Sequence, residues 1–266
     1  MTGFDDGDEI IDLSLTLSES LPGTWPGHMP LAHHNWSWFA EDPAPKGPMR
    51  SLGPYQTNFL VVDEHCGTHF DAPAHFVAPE DSQAECRGLR GLETGERVPL
   101  GELMGSAAVV DVRELANAGA PAVSPLILPA HIHAWEAQHG PLEAGEVVLL
   151  RTGWDAHYVE GAPGDAYLEA PVRTGSGNGW PAPAPETLLD LHGRGIRTIG
   201  IDAPSVGPVH APIETHRAGL TVGMRFVEGL ANLGLLPPRG AFFIFLPLKV
   251  ARSSGAPGRA VAIVRR

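Results

Sequence analysis

Short apolar runs, bounded by glycine or proline, recur along the chain. They are IIDLSLTL (10–17), FLVVDE (59–64), AAVVDV (107–112), EVVLLRT (146–152), IRTIGID (196–202), AFFIFLPL (241–248) and AVAIVR (260–265). Their richness in Val, Ile and Phe predicts β-strands. Two other segments carry helix punctuation. LPAHIHAWEAQHG has Pro129 near its entry and Gly140 at its stop. PAPETLLDLHGRG places Leu188, Leu189 and Leu191 ahead of a Gly193 stop and feeds directly into IRTIGID. Helices interspersed with strands predict an α/β fold, strand-rich with few helices, around a partly buried sheet. No internal repeat or long low-complexity linker divides the chain, and residues 1–266 read as a single domain. Three Pro/Gly-rich tracts interrupt the pattern, at 41–54, 160–185 and 203–212. The middle one is long for a connection in a compact domain, which fits either a functional loop or a surface insertion.

Composition narrows the functional classes. The 266 residues carry a formal net charge of −13, with no run of Lys and Arg. That balance disfavours nucleic acid and anionic membranes as partners. The acidic start MTGFDDGDEIID lacks the basic and apolar segments of a signal peptide. No apolar stretch approaches the ~20 residues that span a bilayer. The expectation is a soluble, cytoplasmic protein. Its two cysteines, Cys66 and Cys86, are too few for a disulfide framework.

The stretch HCGTHFDAPAH (65–75) changes the picture, because it holds three histidines and an aspartate. On a helix, His65 and His69 would share a face while Asp71 pointed away. On a flat strand all three would share a face, but His65 and His69 would stand ~13 Å apart. That exceeds what one ion with ~2.1 Å bonds can bridge. A bend at Gly67–Thr68 reconciles the two, since glycine adopts backbone angles closed to other residues. His65, His69 and Asp71 would then surround one point. Nitrogen and carboxylate ligands without thiolate suit Zn²⁺, Mn²⁺ or Fe²⁺. His75, beyond Pro73, is a fourth ligand or a general acid/base. Thr68 is expected to bond within its own turn, and Cys66 to be a small half-buried residue.

The pattern H-x-G-T-H-x-D-x-P-x-H resembles the signature of the metal-dependent cyclase superfamily. That family includes bacterial kynurenine formamidases, isatin hydrolases and cyclase-like proteins of natural-product pathways. WPG (25–27), LLRTGW (149–154), GIDAPSVGPVHAPIETHRAGL (200–220), VEGLANLGLLP (227–237) and SGAPGRAVAI (254–263) follow in the family's order. The resemblance implies a swivelling β/β/α domain, assembled as a homodimer or homotetramer. It also implies roles. His65, His69 and Asp71 match the ligands of a first metal, with Asp71 able to bridge. His216 and Glu228, twelve residues apart, match the ligands of a second. His75 matches the catalytic histidine. Ser205 and Trp25 match positions near substrate. One or two divalent ions per chain, Zn²⁺ or Mn²⁺, are implied.

Some positions depart from the family pattern. Gly207 stands where an aspartate is frequent, Gly219 where a leucine is usual, and Glu228–Gly229 where the family has Glu-Asn. The 160–185 tract is unusual for a compact formamidase. Of the other histidines, His131 and His133 sit on the first expected helix and face different ways. His28, His33 and His34 lie in a stretch rich in tryptophan, with Trp25, Trp36 and Trp38, where packing or a pocket wall is the default.

The implied chemistry is metal-assisted addition of water to a small amide, lactam or ester, with His75 moving a proton. A cyclase or dehydratase acting on a biosynthetic intermediate needs the same residues. A non-catalytic metal- or ligand-binding protein needs the ligands but not His75.

Overall fold

Twelve strands and three α-helices are found among residues 7–37, 39 and 55–265, which this computed structural model describes. The 41–54 tract, Trp38 and the first six residues lie outside the described residues. In chain order the elements begin with β1 (Asp8–Asp12), β2 (Ala32–Ser37), β3 (Thr57–Val61), β4 (His69–Asp71) and β5 (Met104–Asp111). Next come β6 (Leu126–Ile127), α1 (Pro129–His139), β7 (Val147–Arg151), β8 (Ala182–Pro183) and α2 (Pro185–Gly193). The last are β9 (Thr198–Ile201), α3 (Pro212–Thr221), β10 (Arg225–Glu228), β11 (Ala241–Pro247) and β12 (Gly255–Arg265).

The main sheet runs β1-β12-β11-β5-β7-β9-β10-β4, and β4 pairs back onto β12. This pairing closes a ring of seven strands and leaves β1 outside it. Strands β5, β7, β9 and β10 run parallel to one another, whereas every pairing that involves β11, β12 or β4 is antiparallel. The run VVLL in β7 is buried on both faces, as a covered parallel sheet requires. Successive side chains alternate between two cores. Val147, Leu149, Val227, Phe243 and Phe70 fill the inside of the ring. Val148, Leu150, Ile199, Phe226, Leu188 and Trp135 pack between the strands and the helices. The architecture is the strand-rich α/β domain that the pattern predicted.

Each of the seven predicted strand runs overlaps an observed strand, and both predicted helices form. Helix α3 is not among the predicted helices, because it starts at Pro212, directly at the end of the Pro/Gly-rich tract 203–212. Pro212 stands at its entry, where a missing N–H costs nothing. The tract 160–185 is not a surface insertion. Tyr167, Leu168 and Trp180 are buried in the helix-side core. The Trp180 indole donates to the Gly207 carbonyl at 3.1 Å, and that of Trp154 to the Tyr167 carbonyl at 3.1 Å. The tract therefore forms the wall behind the segment 203–212.

Candidate metal centre

The bend predicted at Gly67–Thr68 is present. Gly67 has φ +61, in the left-handed region that favours glycine. The chain turns there and enters β4, whose three residues are all buried. Phe70 points into the ring, so His69 and Asp71 point to the opposite face. The antiparallel register of β4 and β10 sets Glu228 directly opposite His69. Helix α3 lays His216 over the pair. Thr68 does not close its own turn, contrary to expectation. Its hydroxyl donates to the Gly229 carbonyl and accepts the Leu15 N–H at 2.8 Å, tying three segments together. Cys66 is fully buried rather than half-buried, and burial pushes its thiol up.

The sequence-expected ligands come together as two triads that share one carboxylate: His65, His69 and Asp71, then Asp71, His216 and Glu228. Each imidazole is oriented from behind. His69 Nδ1–H donates to the Gly67 carbonyl at 3.0 Å, and His216 Nδ1–H to the Pro212 carbonyl at 2.7 Å. Their Nε2 atoms are thereby left as lone pairs facing the carboxylates. His69 Nε2 lies 3.6 Å from Asp71 Oδ1 and 3.4 Å from Glu228 Oε2. His216 Nε2 lies 3.5 Å from Asp71 Oδ2 and 3.4 Å from Glu228 Oε1. These separations are long for hydrogen bonds. They match the ~3.4 Å between two ligands held at ~2.1 Å about a tetrahedral ion.

His65 shows the same requirement. Ser254 gives its hydroxyl proton to Glu64 at 2.8 Å, so it accepts from His65 Nε2–H at 3.0 Å. Nδ1 of the same ring meets Asp71 Oδ1 at hydrogen-bond distance, 2.8 Å. With Nε2–H already given to Ser254, that contact closes on a proton at Nδ1 or on a cation in its place. Asp71 Oδ2 is buried and has no hydrogen-bond partner. A buried polar atom left this way is costly unless something positive completes it. The donor set fits a divalent cation, and no thiolate is among it.

Electrostatics say the same. Burial pushes the Asp71 carboxyl up, but the imidazoles of His75, His65 and His69 outweigh it and hold it well below the carboxylate range. Burial pushes His69 down, yet Glu228 and Asp71 outweigh that and raise it to about 9. His216 is raised too, by Glu228 and Asp71 against burial. In effect the cluster draws in protons where a cation would sit.

His75 differs from these. It belongs to neither triad, and among the described residues its ring nitrogens have no protein hydrogen-bond partner. Its ring stacks on His65 at 3.9 Å and meets Phe76 edge-on at 4.6 Å. Burial pushes it down to about 4; Asp71 opposes this, and the rings of His65 and His216 add to it. It is a neutral imidazole at neutral pH.

A cavity of about 200 Å³ opens over the cluster, walled by Trp25, Phe76, Pro204 and Pro212. Trp25 is braced edge-on by Trp180 at 6.2 Å. Ser205 lies beneath the wall, donating to Glu228 Oε1 at 3.2 Å and accepting the Gly207 N–H at 3.0 Å.

The Cyclase family model matches residues 11–208, more than half of the chain. The chain belongs to the Cyclase family. It is 36% identical over 218 residues to the isatin hydrolase of Roseibium aggregatum, covering 80% of this chain and 77% of that one. It is 31% identical over 253 residues to the kynurenine formamidase of Salinibacter ruber, covering 95% and 96%. A crystal structure of an isatin hydrolase bound to the product analogue thioisatinate superposes with a TM-score of 0.79 at 28% identity, covering 98% and 94% of the two chains.

Two departures from the Cyclase family pattern have a steric reason. A Cβ on Gly207 would lie 2.6 Å from His216 Cε1, and one on Gly219 would lie 2.4 Å from Phe226 Cζ. The absent side chains let α3 bring His216 down onto the cluster. Of the other histidines named from the sequence, His28 lines the cavity and the rest lie elsewhere. His33, His34 and His133 are exposed. His131 Nδ1 accepts the Leu128 N–H at 2.8 Å at the start of α1. Sequence reading missed Glu64 and Ser254, which fix the His65 ring. The only signal was adjacency: Glu64 precedes His65, and Ser254 opens a matched closing segment.

Proposed function

We propose that the chain is a metal-dependent hydrolase of a small aromatic amide, lactam or ester, built as one domain over residues 1–266. One or two Zn²⁺ or Mn²⁺ ions would be held by His65, His69 and Asp71, and by Asp71, His216 and Glu228. A divalent cation there supplies Lewis-acid polarisation of a carbonyl and acidification of water. The carboxylates of Asp71 and Glu228 set the charge of the site. Ser205 holds Glu228 in place beside the substrate. Trp25 and Phe76 bind the ring of the substrate and keep bulk water away. His75, neutral at its ring nitrogens, accepts a proton from the attacking water and delivers it to the leaving nitrogen or oxygen. The protein is taken to work in the cytoplasm as a homodimer or homotetramer; no helix among the described residues is long and apolar enough to cross a membrane.

The observation that supports this reading is the buried Asp71 carboxylate, its Oδ2 unpartnered, set between His69 and His216, whose other nitrogens are tied to carbonyls. Names and likeness of the relatives, one an isatin hydrolase and one a kynurenine formamidase, support the substrate class. The test is hydrolysis of isatin and of N-formylkynurenine by protein reconstituted with Zn²⁺ or Mn²⁺. Turnover of either is expected, and His75→Ala should lower it by about 10²–10⁴-fold while metal content stays unchanged. Folded, metal-loaded protein that turns over neither compound, nor other aryl amides, lactams or esters, would refute the hydrolase reading.

A further inference from the structure

Residues 25–28, WPGH, form a tight turn at the lip of the cavity. The His28 N–H donates to the Trp25 carbonyl at 3.0 Å, and Gly27 has φ +91. Proline in the second position and a left-handed glycine in the third are what a type II turn requires. The turn presents both Trp25 and His28 to the same cavity. His28 is also held from outside, with Nδ1 3.2 Å from Asp63 Oδ1. The same oxygen accepts the backbone N–H of His65 at 2.8 Å. Asp63 thus ties the lip to the segment that carries the cluster.

The hydrogen-bond inventory sets what His28 can read. A carboxylate only accepts, so Nδ1 is the donor to Asp63. In the neutral imidazole, Nε2 is then a lone pair. Among the described residues no protein group donates to it. Of the groups that line the cavity, His65, His69, His216 and Glu228 are engaged in the cluster, and Trp25 and Phe76 offer ring faces. His75, also in the lining, is assigned above to proton transfer, and His28 is the ring nitrogen left for recognition at the mouth.

We propose that His28, oriented by Asp63, is a specificity residue that accepts a hydrogen bond from the N–H of a secondary amide or lactam substrate. The inference rests on the hydrolase reading above and deepens it. Among the scissile groups considered, secondary amides and N–H lactams carry such a donor; esters, lactones, tertiary amides and N-alkylated lactams do not. Asp63 is a positioning residue, acting through the tautomer of His28.

The experiment compares isatin with N-methylisatin, by kcat/KM and independently by Kd from calorimetry, using metal-loaded full-length protein. The N–H compound should be favoured by about tenfold, the usual weight of one hydrogen bond at a partly exposed site. His28→Leu should collapse that ratio, mainly through KM, and also controls for the bulk of the methyl group. His28→Gln keeps an acceptor oxygen and should restore part of the ratio. Asp63→Asn cannot keep one oxygen accepting from both His28 and the His65 N–H, so it should weaken or lose the preference, with metal content measured alongside because the His65 segment loses a tie as well. An unchanged ratio in His28→Leu overturns the proposal, as does a wild-type protein with no preference or no binding of either probe. Absent turnover with an intact Kd preference would remove the hydrolase reading and leave the role of His28 standing.

Discussion

His69 and Glu228 face each other across paired strands on the floor of the cavity, whereas His28 stands on a four-residue turn at its lip. The floor is buried: the side chains of His69, Asp71, His216 and Glu228 are at most 5% exposed. Its rings are locked by backbone carbonyls, and its register is fixed by a closed sheet. At the lip the His28 side chain is 40% exposed and has one side-chain partner, Asp63. The neighbouring ribbon of β2 and β3 is mostly exposed, with Phe59 and Leu60 open on its surface. Groups that hold a cation need fixed positions to within fractions of an ångström, and the strands provide them. Groups that choose a substrate can sit on a turn and vary without unsettling the scaffold.

The severest way to break this contrast is to remove the carboxylate common to both triads. Asp71→Asn should empty the floor of metal and abolish turnover. Its loss of metal affinity should exceed the ~10–100-fold that loss of an outer partner costs. Metal analysis of the purified variant decides: a full complement of metal would show that Asp71 is not shared.

A smaller effect separates floor from lip by pH. In metal-free protein His69 is raised to about 9 from an ordinary 6.5. A raised histidine contributes stability that is complete below the unfolded value and is lost as pH rises through the folded one. Metal-free protein should therefore lose stability between about pH 6.5 and 9, by on the order of 3 kcal/mol from His69. His216, also raised, acts in the same direction. With metal in place of those protons, the decline should vanish. Thermal unfolding across that range, with and without a chelator, measures the difference; identical slopes would mean that the floor does not exchange protons for metal.

The floor was the more legible region in the sequence. His65, His69, Asp71 and His75 are crowded into one segment, and the need to bring them to one point demanded a bend that Gly67 could supply. His216 and Glu228 were visible only through the family resemblance. Their partners are set by the β4–β10 register and by α3, which local spacing does not encode. The strands were legible because apolar runs between turn residues survive in a buried sheet. Helix α3 was hidden by Pro and Gly in 203–212, and β4 by its length of three residues. His28 looked like a pocket wall because its meaning lies in Asp63, 35 residues on. The tract 160–185 read equally well as an insertion. Its buried Trp180 and Tyr167 found their partners in segments distant along the chain.

The finest test sets two left-handed glycines against each other. Gly67 bends the chain into the floor, and Gly27 turns it at the lip, with φ +61 and φ +91. Alanine at either position costs about 1–2 kcal/mol for the left-handed backbone. The surroundings differ. A Cβ on Gly67 would lie 2.3 Å from Leu17 Cδ2, whereas one on Gly27 would meet nothing within 4 Å. Leu17 is 38% exposed and can swing aside, so the two variants should be close in stability. What they disturb should differ. The Gly67 carbonyl anchors the His69 ring, so Gly67→Ala should weaken metal binding, by up to ~10–100-fold as for other outer partners. Gly27→Ala should leave metal affinity alone and blunt only the preference for an N–H substrate. Metal titration and the isatin to N-methylisatin ratio on both variants read the two effects separately. If Gly27→Ala also lowers metal affinity, the lip is mechanically part of the floor and the division between them fails.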